Sequence, residues 1–455
     1  MTSAPAYFRQ RRGTCPGLSV PMPSGDGLLA RLHPTGTISL SAFAALCAAA
    51  QEFGNGVVEI TGRGSIQIRG LTAASAPLFA DAVNALAIAA EDGIPVHTDA
   101  LAGLDDEEIL DAGSVAADLR QMLAHTSLPA RLAPKISVAI DGGGALGLDN
   151  LAADVRLCAD LVNGAAVFHV GVAGNAATAT GLGVVTPANG VEAARRLLEI
   201  IARHGRTARA RDVLSNQGAA QFHAAIADLI INSMSFSSCP GLARASTSSG
   251  RAAGKDVDGR HEAGHDVKEA ITAHGLRDGS IACGVSLAFG HTNARALEQL
   301  TQVARLIGAL GFRTAPGRVL LAIGIRPADA ATFTAAAEQL GFIVHPDDPR
   351  RYVVACAGAP VCAAAHIAAR TLAPAVTEAA RPYLDGRFRI HVSGCAKGCA
   401  HAGVASLTVV GQHDGCAIIA NGSVRDAPVA FANANQLPSV IAEMMRDAKR
   451  EAAHV

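Results

Sequence analysis

The chain lacks any surplus of charge, any leader-like start and any apolar run long enough for a bilayer, and each absence narrows its role. Its 38 Lys and Arg residues are matched by 39 Asp and Glu, a formal net charge of −1. No whole-chain field therefore steers it to nucleic acid or an anionic membrane, although a local basic pocket can hide in that balance. The opening MTSAPAYFRQRRG has no apolar core followed by a small-residue cleavage site, and no later stretch runs far enough without charge to span a bilayer. A cytoplasmic protein is expected. No Gly-x-Gly-x-x-Gly segment stands between a convincing strand and helix. A resident dinucleotide is therefore not expected, and reducing equivalents would come from a separate NADH-linked donor.

What is present is apolar mass and clustered cysteine. At 455 residues, 50% of them hydrophobic, the chain can build about three domains with substantial cores, and disorder is excluded. In a reducing compartment ten cysteines are poor disulfide material, and clustered ones speak for metal or redox chemistry. Cys356 and Cys362 form C-x5-C, and Cys395 and Cys399 lie in GCAKGC. Four thiolates from two loops can hold a 4Fe-4S cluster. The competitors are a zinc site, a pair of disulfides and coincidence. Zinc sites usually show C-x2-C to C-x4-C knuckles, whereas glycine flanks such as Gly394 and Gly398 suit close backbone approach to a bulky cluster. Cys15, Cys47, Cys158, Cys239, Cys283 and Cys416 are scattered and read as small packing residues. His366 and His401 follow cysteines closely enough to lie near a metal, but each reads first as a local hydrogen-bonding residue.

The segment Gly27 to Leu71 reads strand, helix, strand. Phe43, Leu46, Cys47, Ala50 and Phe53 fall at helical spacing, and Val58, Ile60, Ile66 and Ile68 share one parity of an extended stretch. A similar pattern returns from Gly279 to Ile325, with the stripe Leu297, Leu300, Ala304 and Ile307 before RVLLAIGI. Two such copies predict a duplicated architecture whose halves pair in space around one site. Between them Leu132 to Cys158, Val167 to Gly174 and Val191 to His204 read as an α/β domain. Ser235 to Ala273, polar and without apolar period, reads as a linker or long loop. A terminal helix carries Val440, Ile441, Met444 and Met445. The expected units are a first half-repeat at 1–115, a central α/β domain at 116–235, the linker at 236–273, a second half-repeat at 274–350 and a cysteine-bearing domain at 351–455.

In EITGRGSIQIRG, residues Glu59, Thr61, Arg63, Ser65, Gln67 and Arg69 share the parity opposite the apolar face. An ordinary solvated strand face would look the same. The functional reading is a carboxylate clamp, because a guanidinium offers fork-shaped donors and keeps its charge. Arg31 and Arg313, near strands of the two copies, can serve the same end. In APKISVAIDGGG, Lys135 and Ser137 emerge on one side, although a lysine at a strand start is usually just solvated. The run Gly142 to Gly144 can approach an anion but is more often a turn. His261, Glu262 and His265 spell H-E-x-x-H, yet Gly259 and Gly264 deny the motif its helix, and protease chemistry is set aside.

In GLLARLHPTGTIS with EITGRGSIQIRG, FRTAPGRVLLAIGI, and CAGAPVC with SGCAKGCAHAGVASLTVVG, the chain resembles the sulfite and nitrite reductase superfamily from about Gly13 to Gly422. The resemblance implies an α+β fold of duplicated ferredoxin-like half-domains with α/β cofactor-binding domains. It also implies that Cys356, Cys362, Cys395 and Cys399 bind a 4Fe-4S cluster, and that Arg31, Arg63, Gln67 and Arg313 contact a tetrapyrrole. Arg69 joins them as a further candidate clamp for the carboxylates.

Within the superfamily, RGTCPGLSVPMPSGDGLLARLHP looks most like a monooxygenase branch of aerobic cobalamin biosynthesis. That resemblance implies hydroxylation of precorrin-3A by dioxygen with lactone formation, in a pocket that holds sirohaem in the reductases. Where reductases place two lysines beside the anion they reduce, this chain has Lys135 and Ser137; Lys135 is carried over as the catalytic candidate, and the missing cation weakens the case for anion reduction. A second, mononuclear non-haem iron is implied, its ligands unnamed. Sirohaem-dependent sulfite or nitrite reduction is the alternative, and a non-catalytic tetrapyrrole carrier is a third. Because duplication completes a site within one chain, a monomer is expected.

Overall fold

The computed structural model describes residues 16–91, 93–231, 270–386, 388–401 and 403–452. The N-terminal run, Cys15, Cys239, the H-E-x-x-H motif and nearly all of the expected linker lie outside the described residues. Four five-stranded sheets carry the fold. The first orders Met22–Ser24, Gly27–Leu32, Ile66–Leu71, Val57–Ile60 and then His291–Asn293, all antiparallel. A second repeats it with Ala273–Gly275, Ile281–Ser286, Val319–Ile325, Gly311–Ala315 and then Ile38–Ser39. Each half thus lends the short strand ahead of its helix to the other half's sheet.

The helices Leu40–Phe53 and Ala294–Leu306 follow those exchanged strands. Ser39 and Asn293 cap them, accepting from Ala42 N at 3.2 Å and Ala296 N at 2.8 Å, which satisfies N–H groups that a helix start leaves orphaned. Phe43, Leu46, Cys47 and Ala50 pack against Leu297, Leu300 and Ala304 in one continuous core. That shared core makes the halves a single body, because each buries its apolar stripe only against the other.

The duplication extends further than the sequence predicts. The third sheet runs Val96–Thr98, Val138–Asp141, Ala153–Val162, Ala165–Gly174 and Thr180–Val185; its first two junctions are parallel and its last two antiparallel. The fourth, Val353–Ala355, Ile390–Ser393, Ala405–Gln412, Gly415–Gly422 and Ala430–Ala432, repeats that order and those directions. The third sheet draws its edge strand from Val96–Thr98, upstream of the boundary expected at residue 116, because a parallel neighbour must return through a crossover, here the helix Ala112–Ala124. The loops after the first two strands of the fourth sheet carry the four cysteines.

One local expectation changes shape. EITGRGSIQIRG is a hairpin, Val57–Ile60 and Ile66–Leu71, and Glu59 lies directly opposite Gln67. Gly64, at φ 83°, sits in the turn, where a left-handed conformation favours glycine. Glu59, Gln67 and Arg69 therefore share a face through cross-strand pairing, while Arg63 projects from the turn. No helix of the described residues is long and apolar enough to cross a membrane.

Candidate functional site

A cavity of about 1120 Å³ opens where the two half-domains meet both α/β units. Eight cationic side chains line it, Arg31, Arg63, Arg69, Lys135, Arg209, Arg318, Arg370 and Lys397, against two carboxylates, Glu59 and Glu91. The sulfur-bearing Cys356, Cys362, Cys395 and Cys399 line the same cavity. Such an excess of positive charge in a concave site selects for a ligand with several negative groups.

Arg31 stands on the strand Gly27–Leu32, and Gln67 faces it across the sheet. With the Gln67 amide turned so that its oxygen meets Arg31, it accepts from Nε at 3.1 Å and Nη2 at 2.6 Å, while its nitrogen donates to Glu59 Oε2 at 2.9 Å. That orientation is the one the surrounding donors and acceptors require. Glu59, 6% exposed, also lies 3.3 Å from Arg69 Nη1 and 2.7 Å from Arg370 Nη2. Its Oε1 lies off the line of an N–H bond, so that pairing is ionic. A single buried carboxylate thereby orients the basic wall.

Arg318 reaches the cavity from the turn between Gly311–Ala315 and Val319–Ile325, at φ 69°. Few non-glycine residues adopt that region. Gly290 makes room, since a Cβ there would lie 2.7 Å from Arg318 Cδ. Burial, and then the neighbouring Arg389 and Arg370, lower the Arg318 pKa to about 10. Cations pressed together in this way gain most from an anion.

The residues singled out in sequence meet unequal fates. Arg31, Arg63, Gln67, Arg69 and Lys135 all line the cavity, as does Ser137. Arg313 lines a small adjoining pocket together with His33, Arg63 and His97. Its guanidinium donates to Ala100 O at 3.2 Å, Ala102 O at 2.9 Å and Thr37 Oγ1 at 2.8 Å. Arg318, Arg209, Arg370 and Lys397 were not singled out. Arg209 is neutralised by a forked pair with Asp154, 2.7 Å at the closest. Lys397 could have been found in the sequence, being enclosed by the Cys395–Cys399 spacing. His366 packs against His413 with the rings tilted by 50° and their centroids 4.1 Å apart, and His401 Nε2 lies 3.1 Å from Val404 O.

The fit of the cysteines to a cluster rests on their surroundings. All four are free thiols. Burial, the largest cause, and the neighbouring thiols push Cys356 and Cys399 up. Four bare thiolates would thus repel one another, and a cationic iron-sulfide core relieves that repulsion. Gly394 N donates to Cys356 Sγ at 3.0 Å, a bond of the kind that tunes cluster potentials. A Cβ on Gly358 would lie 2.3 Å from Ala369 N, so the loop needs glycine there to fold this closely. Four free thiols lining one cavity are a donor set of the kind that a 4Fe-4S cluster takes. Among the described residues no three His, Cys, Asp or Glu converge on a single ion position, so no ligand set is assigned to a mononuclear iron. Cys47, Cys158, Cys283 and Cys416 are buried packing residues.

Comparison with known proteins bears on the family and the fold. Residues 20–86 match the family model of the nitrite/sulfite reductase ferredoxin-like half domain. A Sinorhizobium protein named precorrin-3B synthase is 35% identical over 438 residues, 96% of this chain and 88% of its own. The solved structure of the Mycobacterium tuberculosis NirA protein superposes with a TM-score of 0.71 at 18% identity, covering 92% of this chain and 80% of that one. At that identity the likeness speaks for the fold alone.

Proposed function

The chain belongs to the precorrin-3B synthase family, and we propose that it is the oxidoreductase that converts precorrin-3A to precorrin-3B with dioxygen. One observation carries the reading: a cavity with eight cationic side chains also holds the four clustered cysteines. A methylated tetrapyrrole bears many carboxylates, and a cavity of about 1120 Å³ has room for such a ring.

Arg31, Arg63 and Arg318 bind carboxylate arms through forked donors, and Lys397 adds a point charge. Gln67 fixes the Arg31 guanidinium before substrate arrives, which lowers the entropic cost of capture. Arg370, turned by Glu59, closes the basic wall on the cysteine side. The balance is substrate plus dioxygen, two electrons and two protons, giving a product heavier by one oxygen atom, and water. When bound to Cys356, Cys362, Cys395 and Cys399, a 4Fe-4S cluster supplies electrons singly. The protein contributes position and electrostatics.

Lys135, where the superfamily holds an anion, is the residue proposed to act at the reacting face. Ser137 in place of a second lysine leaves that face short of the charge that sulfite or nitrite reduction needs. The absorption spectrum of purified protein tests this: sirohaem gives intense visible bands, and a cluster alone gives broad brown absorption. Consumption of precorrin-3A only under oxygen supports the proposal, and turnover under argon defeats it.

A further inference from the structure

Arg69 shares a sheet face with Gln67, but its surroundings set it apart from the other arginines. Its side chain is 5% exposed and lies 3.0 Å from Asp26 Oδ1 and 3.3 Å from Glu59 Oε1. Two carboxylates already balance the guanidinium, so it has little charge left for an incoming anion. The same Nη2 contacts Ser24 Oγ and donates to the carbonyl of Val361 at 3.1 Å. Val361 immediately precedes Cys362. Its carbonyl also accepts from Gly25 N at 2.8 Å and from Ser24 Oγ at 2.8 Å. Gly25 has to be glycine for this approach, because a Cβ there would lie 2.3 Å from Pro360 O. Three donors from the first half-domain thus converge on one peptide of the loop joining Cys356 and Cys362.

We propose that Arg69 is a positioning residue for Cys362: with Ser24 and Gly25 it pins the Val361 peptide, so that retention and potential of the iron-sulfur group depend on it. The inference rests on the reading of the four cysteines as cluster ligands. Partners outside the ligand shell fix ligand orientation, and their loss typically weakens metal retention about 10- to 100-fold. Removing the Arg69 charge also leaves Asp26 short of a counter-charge, while Glu59 keeps Arg370. Added negative charge disfavours the reduced cluster and moves its potential lower.

The test uses the full chain purified without oxygen as wild type, Arg69→Met, Arg69→Lys and Ser24→Ala. Iron and acid-labile sulfide, iron loss to a ferrous chelator, the midpoint potential and the Kd for precorrin-3A are measured on each. Arg69→Met should lose iron roughly 10- to 100-fold faster and shift to lower potential. Arg69→Lys should hold the potential better than it holds the iron, because it keeps the charge and loses the fork. Ser24→Ala should lose iron faster with little change in potential, and in Arg69→Met the rate of iron loss should rise by a larger factor than the Kd. Wild-type iron retention and potential in the variants, with weakened substrate binding, would overturn the inference and make Arg69 a substrate clamp. Should Arg69→Met fail to fold, Ser24→Ala decides, and unchanged iron loss there overturns it. Wild-type protein without acid-labile sulfide would overturn the cluster reading itself, an outcome distinct from sulfide-replete variants that behave as wild type.

Discussion

Glu59 of the first half-domain lies 2.7 Å from Arg370 at the head of the helix Ala369–Ala380, the helix that follows the Cys356–Cys362 loop. This contact ties the basic floor of the cavity to the cysteine-bearing unit. Both side chains are largely buried, 9% and 14% exposed. Removing one partner of such a pair leaves a charge without compensation, which costs about 3–5 kcal/mol. Glu59→Gln should therefore lower the thermal midpoint clearly. The double variant with Arg370→Gln should be less destabilised than the sum of the two single variants, as a thermal unfolding cycle will read out.

The proposed function makes substrate affinity depend on Arg31 and on the residue that aims it. Hydrogen bonds to charged groups contribute about 1.5–3 kcal/mol each, so Arg31→Met should weaken precorrin-3A binding roughly 10- to 100-fold. Gln67→Leu, which frees the guanidinium without removing it, should weaken binding less. Optical titration under argon separates binding from turnover for both variants.

Acid sensitivity follows from buried imidazoles. Burial first, and then the charge of Arg31, lowers the His33 pKa to about 4. Burial and Arg63 lower His97 to about 3, and burial and Arg370 lower His291 to about 4. In the unfolded chain each titrates near its ordinary value of about 6.5. Between roughly pH 6.5 and 4 the unfolded chain therefore binds protons that the folded chain refuses, and stability falls as pH falls through that window. Thermal midpoints from pH 7 to pH 4.5 should decline, and His33→Asn should reduce the slope by about one proton.

Loss of the proposed cluster has a direct readout. Cys395→Ser should remove most of the acid-labile sulfide and the broad brown absorption, whereas Cys47→Ser, in a packed core far from the loop, should leave both in place. Iron and sulfide analysis of the purified variants checks this.

The half-domain duplication was legible because Phe43, Leu46 and Cys47, and again Leu297 and Leu300, repeat an apolar helical stripe that physics ties to one buried face. The second duplication, of the two α/β units, was not. Its evidence is strand order and direction, which leave little trace in residue pattern. The exchanged strands Ile38–Ser39 and His291–Asn293 are two and three residues long, too short for a period. Cysteine spacing marked the thiol loops, but spacing says nothing of what turns a charged side chain. Arg313 and Arg318 are five residues apart and equally basic. Only the hairpin, the positive φ of Arg318 and the space beside Gly290 send one into the large cavity and the other toward backbone carbonyls. Arg69 likewise looked like its neighbours until Asp26, distant in sequence, came to face it.

A single turnover under oxygen-18 gas, with precorrin-3A and a chemical reductant, tests the central claim most directly by product mass. Incorporation of one labelled oxygen atom per product, absent under argon, is the predicted result. Unlabelled product, or equal turnover without oxygen, would contradict it.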